Sequence, residues 1–193
     1  LPFHTLGEGL KGRDDLLEQL RQDLGPNRPV ALTQPQAIHG LGGVGKTRLA
    51  GGDAWRSGDR YRYAFFVVAD SPSNLQRNLA ALAGVRTMNL GLAADLPEEA
   101  VRDQVLAWLE SNPAWLLILD NVDTEEAQLA VRPLLAMSQG HVLITSRRTG
   151  WQAGVRMLSV DTLKRQDSVA LLLTRSEAGR ERREDDEAQA DLL

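Results

Sequence analysis

The sequence predicts an α/β fold, a three-layer sandwich around a five-stranded, mainly parallel sheet. Three observations lead there. Short apolar runs alternate with longer segments of helical periodicity, the pattern of strands joined by right-handed helical crossovers. Several of these runs are apolar at nearly every position, as strands buried on both faces are. One glycine-rich turn also stands between a predicted strand and a predicted helix.

The elements follow in order along the chain. Residues 1–13 lack periodicity and form a lead-in loop. Asp14 or Asp15 caps a helix carrying Leu16, Leu17, Leu20 and Leu24, which Gly25 and Pro26 stop. A polar, proline-bearing link leads to the strand Gln36-Ala37-Ile38-His39-Gly40, and a helix starts near Lys46. Tyr63-Ala64-Phe65-Phe66-Val67-Val68-Ala69 reads as a strand buried on both faces. Residues 72–83 form a helix and 84–97 a loop, and Val101, Val105, Trp108 and Leu109 mark the next helix, which closes near Asn112-Pro113. Trp115-Leu116-Leu117-Ile118-Leu119 is the third strand, 124–135 a helix, His141-Val142-Leu143-Ile144-Thr145 the fourth strand, 155–160 a shorter fifth, and 164–174 the last helix. Residues 177–187 are dense in mixed charge and read as a solvated helix face or tail. The organisation is a lead-in loop and helix over 1–25, a core over 26–175, and a charged tail over 176–193 that leads to further domains.

Composition narrows the function. At 193 residues the chain suits one domain with a substantial core. Its formal net charge of -4 and balanced acids and bases give no indication of nucleic-acid binding. The absence of cysteine excludes disulfides and thiolate zinc sites. No apolar run reaches membrane-spanning length and the first residues do not read as a signal peptide, so a cytoplasmic location is expected. The missing initiator Met points to a piece of a longer chain. His4, His39 and His141 have no metal-ligand spacing, and Trp55, Trp108, Trp115 and Trp151 are assigned to the core or to partly buried surface.

Gly40-Leu41-Gly42-Gly43-Val44-Gly45-Lys46-Thr47 fits G-x-x-x-x-G-K-[ST] in full, the signature of a P-loop NTPase. Its glycines let successive N–H groups turn inward around a phosphate, where a Cβ would collide. The helix that starts there adds unpaired N–H groups and the positive end of its dipole. Lys46 is assigned to the β- and γ-phosphates and Thr47 to Mg²⁺, with Arg48 placed among the nucleotide-binding residues. Such a loop needs an acid near Mg²⁺ at the end of a neighbouring parallel strand, and Leu116-Leu117-Ile118-Leu119-Asp120 supplies one. Asp123 is a second acid close by; a residue so placed more often caps the following helix, a role Thr124 shares.

Together these segments resemble the NB-ARC branch of the STAND NTPases, which includes plant disease-resistance proteins, an apoptotic protease-activating factor and many bacterial regulators. The loop matches the family wording G-h-G-G-h-G-K-T, h being apolar, and Leu117-Ile118-Leu119-Asp120-Asn121-Val122 resembles its acidic strand. Val142-Leu143-Ile144-Thr145-Ser146-Arg147 resembles the strand whose Arg senses the γ-phosphate; Arg148 competes for that role. Leu10-Lys11-Gly12-Arg13-Asp14 resembles the segment on the adenine side, which places Arg13 against the nucleotide or as a residue that closes the pocket. Leu158-Ser159-Val160-Asp161-Thr162-Leu163 is similar to the family segment after the sensor strand, and fits core packing equally well.

The resemblance implies a switch ATPase that binds ATP or ADP with Mg²⁺. ADP would hold the full protein closed, while ATP would open it and permit self-association, with effector and sensor domains outside this fragment. Lys46, Asp120 and Arg147 would carry slow hydrolysis. Two departures bear on that. Asn121 stands where the family often has a second acid, and an amide cannot take a proton from water. Lys11 replaces an apolar residue near the adenine. The chain also ends before the family's Gly-x-Pro segment and winged helix, so a core without its lid is expected. Two other readings stay open: a steadily turning AAA+-like ATPase and a non-catalytic ADP-binding module.

Overall fold

The computed structural model describes residues 12–23, 36–151 and 154–176. Expectations for the start of the lead-in loop, for Leu10 and Lys11, for Leu24 with the stop at Gly25 and Pro26, and for the charged tail lie outside them.

The helices and strands alternate as the sequence predicts: α1 (Asp14–Asp23), β1 (Gln36–His39), α2 (Lys46–Arg56), β2 (Tyr63–Val68), α3 (Pro72–Ala81), α4 (Glu98–Ser111), β3 (Trp115–Asp120), α5 (Glu125–Leu135), β4 (Gly140–Ser146), β5 (Arg156–Ser159) and α6 (Arg165–Ser176). The helix starts have local causes. Ser71 accepts a hydrogen bond from Asn74 N–H ahead of α3, and Thr124 accepts one from Ala127 N–H ahead of α5. Proline opens α3, where its missing N–H costs no helical bond.

The five strands form one sheet in the order β2-β3-β4-β1-β5, and all four pairings are parallel. The side chains of β3 show why three layers result. Leu117 and Leu119 join a core with Leu75 and Leu79 of α3, Val105 and Leu109 of α4, and Val131 and Leu134 of α5. Leu116 and Ile118 point to the other face, where Leu17 and Leu20 of α1 and Leu49, Ala50 and Ala54 of α2 cover them. Strand periodicity of two divides one apolar run between two cores.

The strand order corrects two expectations. β2 is an edge strand: Phe65 and Val67 are buried, Phe66 half-buried and Val68 exposed, so it is not covered on both faces. The acid-bearing strand does not neighbour the strand before the phosphate loop either. β4 lies between β3 and β1, with Leu119 level with Ile144 and His39 level with Ser146. The carboxyl ends of β3, β4 and β1 therefore form one edge. Among the tryptophans, Trp115 is fully buried and donates from Nε1 to Leu109 O at 2.8 Å, and Trp108 meets Tyr63 and Phe65 edge-on. Trp55 is exposed.

Candidate functional site

The loop between β1 and α2 lies on that sheet edge. Gly45, just before α2, has φ 92 and ψ 21, a left-handed conformation that an L side chain resists. No side chain caps α2 and no acid occupies its first turn, so its first N–H groups keep their capacity for an anion. Gly40 is required for a different reason. A Cβ there would collide with Val160 O, because Val160 N–H donates to His39 O at 2.8 Å and draws the exit of β5 against the loop.

Lys46 Nζ donates to Gly40 O at 2.9 Å and Leu41 O at 2.8 Å, which holds the ammonium across the mouth of the loop. Burial pulls its pKa below the ordinary lysine value; Asp123 opposes that, Arg147 reinforces it, and Asp120 opposes it again. The phosphate-loop cation thus shares one electrostatic neighbourhood with both acids and with Arg147.

Thr47 Oγ1 donates to Asp120 Oδ1 at 2.7 Å, joining residues that are 73 positions apart. Thr145, on the strand between them, donates from Oγ1 to the same Oδ1 at 2.6 Å and accepts from Asn121 N–H at 3.0 Å. The sequence marks Thr145 only as part of the strand before Arg147; its place on β4 beside Asp120 gives it these bonds. A hydroxyl and a carboxylate oxygen are hard donors that suit Mg²⁺, which takes one or two protein ligands and completes its shell with phosphate and water. Among the described residues no group of three or more His, Cys, Asp or Glu could hold a metal.

Asp123 does not cap α5. Thr124 does, and Asp123 is turned toward β4, where Oδ1 accepts from Arg147 N–H at 2.6 Å and Oδ2 from Arg147 Nε at 2.6 Å. Of Arg147 and Arg148, Arg147 is the arginine whose charge acts on Lys46. Asn121 has φ 67 and an exposed side chain; the left-handed turn it makes is one that Asn tolerates.

Arg13 is buried and donates from Nη2 to Val44 O at 3.0 Å and Asp161 O at 2.7 Å. It braces the phosphate loop against the segment after β5. Beside it a cleft of ≈ 530 Å³ opens between Gly12, Asp161, Thr162, Leu163 and Asp167. Leu41, Gly42 and Gly43 form the exposed crown of the loop and Val44 its half-buried shoulder. Arg48 is exposed on α2 and has an interaction of its own.

No protein-family model matches the sequence. The chain is 29% identical over 185 residues to a nucleotide-binding leucine-rich repeat (NLR)-like protein of Hyaloscypha variabilis, covering 84% of this chain and 18% of that one. Among solved structures, the Orc1 protein of Aeropyrum pernix in complex with DNA matches with TM-score 0.60 at 20% identity, covering 87% of this chain and 50% of that one. The replication initiator DnaA bound to AMPPCP and single-stranded DNA matches with TM-score 0.57 at 18% identity, over 99% of this chain and 60% of that one. The RuvB Holliday junction branch migration motor of Thermotoga maritima gives 0.53 at 13% identity, over 97% and 57%. The chain therefore spans less than a fifth of the fungal relative and no more than 60% of these structural neighbours. At such identities the likeness is one of fold, and the fold is that of the P-loop NTPases.

Proposed function

We propose that this chain is the ATP- and ADP-binding core of a STAND-type switch ATPase of the NB-ARC kind. The observation that carries the reading is the Thr47–Asp120 contact beside Lys46, which brings the phosphate loop and the strand-end acid together on one sheet edge. The NLR-like name of the fungal relative supports the switch reading over a steadily turning motor.

In this reading the N–H groups at the start of α2 receive the phosphates and Lys46 bridges the β- and γ-groups. Thr47 and Asp120 would hold Mg²⁺, which would supply charge neutralisation on the phosphate oxygens. Thr145 keeps Asp120 turned toward Thr47, and Arg147 distinguishes ATP from ADP. Arg13 keeps the loop closed against the cleft that takes the base. Hydrolysis is slow, because Asn121 offers water no carboxylate and both oxygens of Asp123 are engaged by Arg147. Opening, self-association and effector output belong to a longer, cytoplasmic protein of which this chain is one part.

The test is calorimetry with ADP and ATP in Mg²⁺ buffer, alongside phosphate-release kinetics. Lys46→Ala removes a charge-assisted contact of about 1.5–3 kcal/mol and weakens both nucleotides at least about tenfold. Turnover by the unaltered chain falls well below the roughly 1–100 s⁻¹ of kinases. Equal affinities in the two proteins would end the phosphate-loop assignment, and fast turnover independent of concentration would favour a motor.

A further inference from the structure

The turn leaving β3 is bonded to the tip of β4 residue by residue. Asn121 N–H donates to Thr145 Oγ1 at 3.0 Å, Val122 N–H to Thr145 O at 3.0 Å, and Ser146 Oγ to Val122 O at 2.5 Å. Asp123 ends this series with its two bonds to Arg147. The acid is nearly buried, at 7% exposure, whereas the Arg147 side chain is 63% exposed. One carboxylate thus fixes both the backbone and the inner guanidinium nitrogen of an arginine that otherwise projects into solvent. The grip uses Nε, and the Nη groups, which carry four of the five guanidinium N–H bonds, take no part in the bonds to Asp123. Thr124 caps α5, so helix capping does not account for Asp123.

We propose that Asp123 is a positioning residue for nucleotide discrimination: by holding Arg147 through Nε and the main-chain N–H, it presents the Nη edge to the γ-phosphate of ATP. The proposal rests on the switch reading above. Without the carboxylate, the exposed side chain would sample many rotamers, and ordering it would fall to the nucleotide itself. Discrimination therefore belongs to the Asp123–Arg147 pair.

The test measures the affinity of the full chain for ADP and for a non-hydrolysable ATP analogue, both with Mg²⁺, in the unaltered protein, Asp123→Asn, Arg147→Ala and the double variant. Asp123→Asn should lower the preference for the ATP analogue about five- to tenfold with ADP affinity unchanged, and should add nothing once Arg147 is gone. A parallel fall in both affinities would show a merely structural staple and overturn the proposal. So would additive effects, or tighter ATP binding in Asp123→Asn. If Asp123→Asn does not fold, Asp123→Glu decides, because a carboxylate moved by one methylene should reduce the preference and an unchanged preference refutes the idea. Failure of the reading it rests on is distinguishable: there Lys46→Ala leaves both affinities unchanged, or the unaltered chain turns over fast. If Arg147→Ala loses the preference while Asp123→Asn keeps it, only the positioning role falls.

Discussion

Replacing Asp53 with Asn should reshape the pH dependence of stability while leaving the phosphate site alone. Asp53 lies on α2 with 1% exposure; Ser57 Oγ donates to its Oδ1 at 3.4 Å and its Oδ2 has no partner. Burial raises its pKa from 3.8 to about 6, against the pull of Arg60, the Ser57 hydroxyl and Arg21. Between those values the folded chain keeps a proton that the unfolded chain has lost, so stability falls as pH rises through this window and the loss is complete above about 6. At about 1.4 kcal/mol per pH unit, the loss is about 3 kcal/mol. His141, edge-on to Tyr61 with its Nε2 unpartnered, has the opposite effect. Burial first and Arg60 second lower its pKa from 6.5 to about 4, so the unfolded chain takes a proton first and stability falls as pH drops through that range. His141 is only partly buried, and solvent screening trims its share. The two effects offset each other between about pH 4 and 6 in the unaltered protein. Urea midpoints of the two proteins, taken from about pH 4 to 8, give a difference curve in which other titrations cancel. Asp53→Asn should match the parent near pH 4, exceed it by up to about 3 kcal/mol near pH 7, and show the acid-side loss due to His141 without an offset. Parallel profiles would mean that Asp53 is solvated in the fold and would refute the reasoning.

Two further substitutions test the architecture of the site. Thr145→Val keeps the shape but removes the donor to Asp120 and leaves Asn121 N–H without its acceptor, at a cost of about 2–4 kcal/mol in denaturant unfolding. A change below about 0.5 kcal/mol would show that water replaces both bonds. Gly40→Ala drives a Cβ into Val160 O and should cost about 1–3 kcal/mol, whereas Gly42→Ala meets nothing within 4 Å and should leave the unfolding midpoint in place. Equal losses in the two variants would contradict the packing of β5 against the loop.

The sequence by itself determined the local elements and the phosphate loop. Periodicity of two or 3.6 fixes which face of an element is apolar, and Gly40 to Thr47 form a contiguous motif whose backbone needs are local. It also marked Asp120 as a strand-end acid and Arg147 as a strand-tip arginine, and left the cap of α5 shared between Asp123 and Thr124. The lateral order of strands was not legible, because an apolar run records burial and not its neighbour. Only the tertiary structure set β4 between β1 and β3, and so brought Thr145 to the carboxylate that Thr47 also reaches. The same placement turned Asp123 from α5 toward Arg147 and tied Arg13 to carbonyls 31 and 148 residues away. It also left one face of β2 only partly covered, although its composition resembles that of a central strand. These contacts are decided by which chain segments the crossovers deliver to a common edge, and hydrogen bonds between distant polar groups leave no periodic trace in either segment.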